Sequence, residues 1–424
     1  MEIHLGNDHP KAYIKSTGCI SNLLDGTGLE KELANGGFRL VDDIRKADFV
    51  IINTCAFNQV KEDEAAAVIE QVKSRMRAGA RLVVCGCLPE INAVRLREIH
   101  ADVSFGPRNN DARLNFLSSQ SGSWEKQNSP DQSDWSIDAP ISYSQYSLLK
   151  KAIYHSKQVL EYIPWVKNAR LIRRLLGPLF VYADDVFCLK VGTGCWGVCT
   201  YCAIRFAKGR AVSRPLDDIA AELEKALARG YRKFVLVGDE ITAYGRDLPS
   251  SPDILDVMDM FLKNEKVATL YLESLEPGFM NANLDRLLAA LSFGKIDVLG
   301  SSVQSGSNRI LGLMKWQYKA DDFIQSIENI RKRYPDALLR SEIIVGFPGE
   351  TDDDFQRSRE LVKRLIFDFL DVYEYEDRPN TSASSMPDKI PLEIKRARRR
   401  IILRQHYRSL LLGGKKRPLP SLNM

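Results

Sequence analysis

The chain has 424 residues, of which 44% are hydrophobic and 27% charged, and its formal net charge is +5. This length predicts two or three domains, and the composition is that of a globular rather than a disordered chain. The mild positive charge neither requires nor excludes a nucleic-acid partner. The sequence has no apolar run long enough to cross a bilayer and begins with no basic-then-apolar signal, so we expect a cytoplasmic protein without membrane attachment.

Residues 1–117 are predicted to form an N-terminal α/β domain. Strand patterns at 12–15, 48–53 and 81–87 alternate with helical ones, which predicts a parallel sheet. Cys19, Cys55 and Cys87, here called the strand-end trio, lie at the carboxyl ends of these strands, where such sheets bind ligands. We therefore predict that the three converge. The alternative is that the three are unrelated buried cysteines that pack as small apolar residues. We interpret Cys85 as a core residue of that kind.

Two segments have a different character. Residues 118–185 begin with a stretch rich in Ser, Gln, Asn and Asp, and they are predicted to form a linker or insertion with a helical pattern from Tyr146 to Arg174. Residues 391–424 are predicted to form a basic C-terminal helix and tail. That helix either neutralises nucleic-acid phosphates or is a solvated helix that closes the preceding domain.

Residues 186–390 repeat strand and helix six times, which predicts a partial (β/α)6 barrel. The loop after its first strand carries Cys195, Cys199 and Cys202, here called the loop trio, at C-x3-C-x2-C spacing. Three thiolates on a glycine-rich loop are able to hold three irons of a [4Fe–4S] cluster and leave the fourth open. A structural zinc site would require a fourth ligand, and the neighbouring sequence offers none.

Several motifs follow one another along the chain: Gly18-Cys19-x-x-Asn22-x-x-Asp25, Asn53-Thr54-Cys55, Gly86-Cys87, Gly194–Cys202 with Ser213-Arg214-Pro215, Ala243–Asp247, Gln304-Ser305-Gly306-Ser307, Val345–Thr351 and Arg378-Pro379-x-Thr381. They resemble the motifs of the radical SAM methylthiotransferase family, which transfers methylthio groups to tRNA adenines or to an aspartate of a ribosomal protein. The resemblance covers nearly all of 11–400 except 118–185.

The resemblance implies a transferase with two [4Fe–4S] clusters and S-adenosylmethionine (SAM) as cofactors. The loop trio would hold the cluster that cleaves SAM to a 5′-deoxyadenosyl radical, which abstracts a substrate hydrogen. The strand-end trio would hold an auxiliary cluster carrying the sulfur for the new C–S bond. The electron donor would be of the flavodoxin or ferredoxin type.

The loops at the strand ends of the predicted barrel supply the remaining site residues. We predict SAM contacts at Tyr201, Ser274, Gln304, Arg340, Gly346 and Pro348. We predict substrate contacts at Asp239, Glu240, Tyr244 and Arg378. The alternative for most of these polar side chains is hydrogen bonding to backbone at a strand end.

The substrate prediction rests on a departure from the family pattern. The family ends in a small β-barrel that grips the substrate, whereas this sequence stops soon after its last predicted helix. We therefore favour a small molecule or peptide over tRNA as substrate. The alternatives are a tRNA methylthiotransferase and a sulfurtransferase that inserts sulfur without its methyl group. A cluster-binding scaffold or sensor is disfavoured by the SAM-pocket motifs.

Overall fold

The computed structural model describes residues 9–108, 113, 115–116 and 186–413. The insertion predicted at 118–185, its helical pattern and residues 414–424 of the tail lie outside the described residues. Within the described ranges, no helix is both long and apolar enough to span a bilayer. The described residues form two parallel sheets with helices packed on them.

The N-terminal sheet has five parallel strands in the order β2-β1-β3-β4-β5. Its strands are β1 (Lys11–Ser16), β2 (Arg39–Leu40), β3 (Phe49–Thr54), β4 (Arg81–Gly86) and β5 (Val103–Phe105). Its helices are α1 (Ile20–Asn35), α2 (Gln59–Lys73), α3 (Leu88–Ile91) and α4 (Ala93–Ile99). Every residue of β3 is buried, because helices cover both faces of this sheet. Two strands of this sheet, β2 and β5, were not predicted, and they are only two and three residues long.

The second sheet has six parallel strands that lie side by side in chain order, which confirms the predicted partial barrel. They are β6 (Val186–Lys190), β9 (Lys233–Val237), β10 (Thr269–Leu275), β11 (Ile296–Ser301), β12 (Leu338–Val345) and β13 (Phe369–Glu374). A small antiparallel pair, β7 (Gly192–Thr193) and β8 (Val212–Ser213), frames the loop trio. The helices are α5 (Ile204–Lys208), α6 (Leu216–Ala228), α7 (Ile254–Lys263), α8 (Pro277–Ala282), α9 (Leu284–Leu291), α10 (Asn308–Leu313), α11 (Ala320–Arg333), α12 (Asp352–Leu365) and α13 (Leu392–Gly413).

Helix α1 joins the two sheets. Its Leu33 packs in the core of the N-terminal sheet, whereas Leu24 packs against Val186 and Val235 of the barrel. The sequence explains this arrangement, because α1 has apolar residues on more than one face and a second apolar surface is needed to bury them. The strand-end trio is thereby held beside the barrel.

Two sets of ion pairs with buried cations connect the sheets near the strand-end trio. Asp25 of α1 contacts the ammonium groups of both Lys190 and Lys208. Burial opposes ionisation of Asp25, but the two lysines outweigh it and hold the pKa of this carboxyl well below its usual range. Glu62 of α2 pairs with Arg378, which follows β13, at 2.5 Å, and both side chains are buried. These pairs fix the orientation of the N-terminal sheet on the barrel.

Candidate active site

The strand-end trio lies at the carboxyl edge of three neighbouring strands. Cys19 follows β1, Cys55 follows β3 and Cys87 follows β4, and these strands are adjacent in the sheet. The Cys19 thiol hydrogen-bonds to Cys55, which raises the pKa of Cys19 and lowers that of Cys55. Cys87 is close enough to interact electrostatically with both. The structure therefore brings the three thiols together, while Cys85 packs with Phe105 in the core on the other face.

Two glycines turn the chain immediately before Cys19 and Cys87. Gly18 has φ +101° and Gly86 has φ +88°, a region that residues with a Cβ rarely adopt. A Cβ on Gly18 would lie 2.0 Å from Cβ of Cys55. A Cβ on Gly86 would lie 2.4 Å from the carbonyl oxygen of Thr54. Only glycine allows the neighbouring strand ends to approach this closely.

Alanine at Gly86 is expected to destabilise the fold and displace Cys87. The positive φ alone costs about 1–2 kcal/mol, and the clash with backbone of β3 adds to it. Urea unfolding and iron content after anaerobic reconstitution measure the two effects. Gly28→Ala is the matched control, because Gly28 lies inside α1 and a methyl group added there would meet no atom within 4 Å. An unchanged unfolding midpoint and iron content for Gly86→Ala would show that the turn tolerates a side chain.

The loop trio lies on a loop that is anchored at both ends. The Cys195 amide donates to the Gly209 carbonyl at 3.0 Å, and the Thr200 hydroxyl donates to the Leu313 carbonyl at 2.9 Å. The Gly197 amide donates to the Cys195 sulfur at 3.1 Å. Backbone N–H groups directed at sulfur stabilise thiolates, so this loop suits a metal-bound cysteine.

Burial disfavours the thiolate form of the three cysteines of the loop trio. It raises the pKa of Cys195, Cys199 and Cys202, that of Cys199 to about 12. The Cys195 thiol donates to Glu240 Oε2 at 2.8 Å, and this carboxylate raises the pKa of Cys195 further. Thiols in this state bind metal with release of protons.

The two trios fit iron–sulfur clusters better than single metal ions. Among the described residues, no group of three or more His, Cys, Asp and Glu side chains is placed to hold a single metal ion. In a cubane cluster each thiolate binds a different iron, so the sulfur atoms need not surround a single point. Each trio supplies three sulfur ligands, which leaves one iron open to a further ligand.

Asp239, which directly follows β9 and Gly238, connects the two trios. Its Oδ1 accepts a hydrogen bond from the hydroxyl of Ser21, two residues after Cys19, at 3.0 Å. Its Oδ2 accepts one from the amide of Gly194, immediately before Cys195, at 2.8 Å. Asp239 also interacts electrostatically with Cys19, Cys87 and Cys202. One carboxylate therefore positions the chain segments that carry both trios.

A cavity of about 820 Å³ opens at the carboxyl ends of the barrel strands. The loop trio lines it directly. The strand-end trio does not, although Phe57 and Asn58, which follow Cys55, do. The predicted site residues that also line it are Tyr201, Asp239, Glu240, Ser274, Gln304 and Arg378.

Gln304 has the strongest structural indication of a ligand contact. Its φ of +60° is rarely adopted by residues with a Cβ. Its backbone pairs with β12 through a bridge to Ile343. The side chain is 8% exposed, and its carboxamide oxygen has no hydrogen-bond partner within the described structure. A buried acceptor at a cavity wall is ready to bind a donor from a ligand.

The other predicted contacts lie elsewhere. Arg340 is paired with Asp371 at 2.9 Å, and Tyr244 is buried in the barrel core with its hydroxyl donating to the Arg214 carbonyl. Gly346 has φ +71°, but the group that approaches it is Lys395 of α13. Pro348 is buried. None of these four predicted contacts (Arg340, Tyr244, Gly346 and Pro348) is among the described residues that line the cavity.

Ser302, Glu342 and Phe57 also line the cavity but were not predicted from the sequence. Ser274 hydrogen-bonds to Ser302 at 3.1 Å, and Ser302 donates to Glu342 at 3.0 Å, which forms a polar network across three strands. Glu342 was detectable, because it lies two residues after Arg340 on the same face of β12. Phe57 is 45% exposed, and it lines the cavity. Its position directly after the Cys55 loop was the only available signal.

Comparison with known proteins agrees with this arrangement. The Radical SAM superfamily model matches residues 189–362, and the model of Uncharacterized protein family UPF0004 matches residues 11–106. The structure of the radical S-adenosylmethionine methyltransferase TsrM from Kitasatospora setae, with tryptophan substrate and a SAM analogue bound, covers 88% of this chain. Its TM-score is 0.59, its sequence identity is 13%, and the match includes 75% of that chain. At this identity the likeness shows the fold alone.

Two curated relatives are named tRNA-2-methylthio-N(6)-dimethylallyladenosine synthase. The one from Halalkalibacterium halodurans is 27% identical over 92% of this chain and 66% of its own length. The one from Bacillus anthracis is 28% identical over 92% of this chain and 70% of its own length. The chain therefore spans about two thirds of the length of these relatives.

These names contradict one prediction from the sequence. We favoured a small molecule or peptide over tRNA as substrate, and that preference is wrong, because the relatives that match nearly the whole chain are named for tRNA. The family prediction itself is confirmed by both domain matches and by these relatives. The family also implies a [4Fe–4S] cluster and SAM as cofactors. Together, the two domain matches and the named relatives support a member of the radical SAM methylthiotransferase family.

Proposed function

We propose that this chain transfers a methylthio group to a modified adenosine of tRNA. The observation that carries the proposal is the placement of two cysteine trios on either side of Asp239, beside one cavity. The names of two curated relatives refer to tRNA and support this substrate class. The reducing cytoplasm suits two thiolate-bound clusters, and we assign the chain to it.

We assign the SAM-binding cluster to the loop trio and a second [4Fe–4S] cluster to the strand-end trio. When bound, these groups would supply one-electron cleavage of SAM and the sulfur to be transferred. The reducing electron would come from a flavodoxin- or ferredoxin-type donor. Glu240 Oε2, 2.8 Å from Cys195 Sγ, is placed to accept the thiol proton as the loop trio becomes thiolate.

The cavity lining suits SAM, whose sulfonium and ammonium groups are cationic. Seven carboxylate side chains line it against two arginines. Gln304 offers its unpartnered carboxamide oxygen, and the Ser274 hydroxyl lies on the cavity wall. We assign Gln304, Ser274, Tyr201 and Glu240 to SAM. Phe57, exposed at the mouth, is assigned to stacking on the substrate base.

Product analysis with methyl-labelled SAM tests the proposal. The reconstituted chain, a reductant and tRNA lacking methylthio groups should give a nucleoside that carries both sulfur and the labelled methyl group. The Cys199→Ala variant should give none and should form no 5′-deoxyadenosine. A nucleoside with sulfur but no label would favour the sulfurtransferase alternative. Formation of 5′-deoxyadenosine with tRNA left unmodified would contradict tRNA as the substrate.

A further inference from the structure

Helix α13 presents three different faces along its length. The side chains at every fourth position from Arg398 to Leu410 are buried against the barrel. Arg399, Leu403 and Tyr407 form the next face and line the cavity. Because residues four apart lie on one side of a helix, each face is a continuous stripe. The helix therefore forms part of the cavity rim rather than only the outer wall of the barrel.

The third face of α13 is a row of arginines. Arg396, Arg400, Arg404 and Arg408 are all exposed and follow one another at four-residue spacing, and we call them the arginine row. At 1.5 Å per residue, successive members are about 6 Å apart along the helix. At about 100° per residue, the row adjoins the cavity-lining stripe on its solvent side. Positive charge is thus concentrated along the rim of the cavity.

The arginine row has no acidic counterpart among the residues that the structure describes. None of its four members forms an ion pair there, whereas Arg398 on the buried face pairs with both Glu350 and Asp352. Within the row, Arg400 Nε donates to the Arg396 carbonyl at 3.4 Å, a long hydrogen bond that leaves the positive charge unbalanced. Four neighbouring guanidinium groups repel one another, so the row is suited to an anionic partner.

We propose that the arginine row binds the phosphate backbone of tRNA while the target base enters the cavity. This inference rests on the proposed function and assigns the surface that holds the substrate. Arginine is suited to phosphate because its planar guanidinium donates two parallel hydrogen bonds. Spacing along the helix allows successive arginines to contact successive phosphates of one strand.

The charge of the cavity supports the same division. The interior carries carboxylates such as Glu342, Asp371 and Glu374, which repel phosphate. A neutral base is able to enter, whereas its backbone is retained at the rim. Enzymes that modify a base need it extruded from the stack, and this arrangement gives backbone and base separate binding surfaces.

Salt-dependent binding of the reconstituted chain to tRNA tests the proposal. The variant Arg396→Ala/Arg400→Ala/Arg404→Ala/Arg408→Ala should bind on the order of 10²-fold more weakly at low salt. Its slope of log K against log salt should be shallower by roughly 3, because about 0.7 counterions are released per phosphate of a single strand. Alanine favours helix, so circular dichroism should show α13 retained. The four-lysine variant should keep most of the slope, since it keeps the charge.

A matched control removes four positive charges at the opposite end of the barrel. The four residues lie in the last turns of α6, α7 and α11, and they are Lys225, Lys263, Lys332 and Arg333. Helices of a β/α barrel run antiparallel to its strands, so these turns lie away from the cavity. Their alanine variant has the same net charge as the row variant and should bind tRNA with the wild-type slope.

The outcomes separate this proposal from the proposed function. If the row variant and the charge-matched control have the same slope, the row is not the RNA surface. That result would not contradict the proposed methylthiotransferase function. If duplex DNA of equal charge competes as well as tRNA, the assignment to RNA is overturned. If the slope falls as expected but wild-type chain leaves bound tRNA unmodified, the row stands and the proposed function fails.

Discussion

Alanine at Cys87 is expected to abolish methylthio transfer while SAM is still cleaved. Cys87 lies in the strand-end trio, on the far side of Asp239 from the loop trio, so its loss leaves Cys195, Cys199 and Cys202 intact. Iron per chain should fall from about eight to about four after anaerobic reconstitution. Formation of 5′-deoxyadenosine should persist, and the methylthiolated nucleoside should disappear.

Cys85→Ala is the matched control for this variant. Cys85 lies two residues earlier on β4 and is buried, but it packs in the core with Phe105 and Phe116. Loss of its sulfur should cost some stability and leave iron content and product unchanged. If Cys85→Ala lost the second cluster and Cys87→Ala retained it, our assignment of the two cysteines would be reversed.

Alanine at Arg378 is expected to lower the free energy of unfolding by about 3–5 kcal/mol. The change leaves the carboxylate of Glu62 buried without its cation. It also removes the hydrogen bond to the Ala56 carbonyl at 2.9 Å, next to Cys55. Urea unfolding of the metal-free chain under reducing conditions measures the loss. After reconstitution, iron at the strand-end trio should also decrease, because the Cys55 loop loses its support.

Two further variants separate charge from size at this pair. Glu62→Leu/Arg378→Met should recover most of the stability, because removing both charges leaves neither one uncompensated. Arg364→Ala should have little effect, since its pair with Glu328 is exposed to solvent. A stability loss no greater for Arg378→Ala than for Arg364→Ala would show that the buried pair does not hold the two sheets together.

The fold and the convergence of the strand-end trio were predictable for one physical reason. Alternating strand and helix patterns imply parallel strands, and the residues after such strands share one edge. The convergence of Cys19, Cys55 and Cys87 could therefore be predicted without knowledge of side-chain packing. Asp239 and Gln304 were predictable site residues for the same reason, because both follow barrel strands.

The interdomain contacts were not predictable, since they join residues far apart in sequence. Glu62 and Arg378 are separated by 316 positions, and nothing local marks them as partners. Arg378 was predicted to contact substrate; it lines the cavity, while its guanidinium binds α2 and the Cys55 loop. Gly346 was predicted to contact SAM, but the structure places the Lys395 side chain next to it. The substrate preference failed because it relied on where the sequence ends rather than on residues of the site.

Iron analysis of two triple variants tests the central claim most directly. Wild-type chain should hold about eight irons after anaerobic reconstitution, and each of the two variants about four. In Cys19→Ala/Cys55→Ala/Cys87→Ala, added SAM should change the electron paramagnetic resonance of the remaining reduced cluster. In Cys195→Ala/Cys199→Ala/Cys202→Ala, SAM should leave the spectrum unchanged. About four irons in both the wild type and the first variant would show that the strand-end trio holds no cluster and contradict the account.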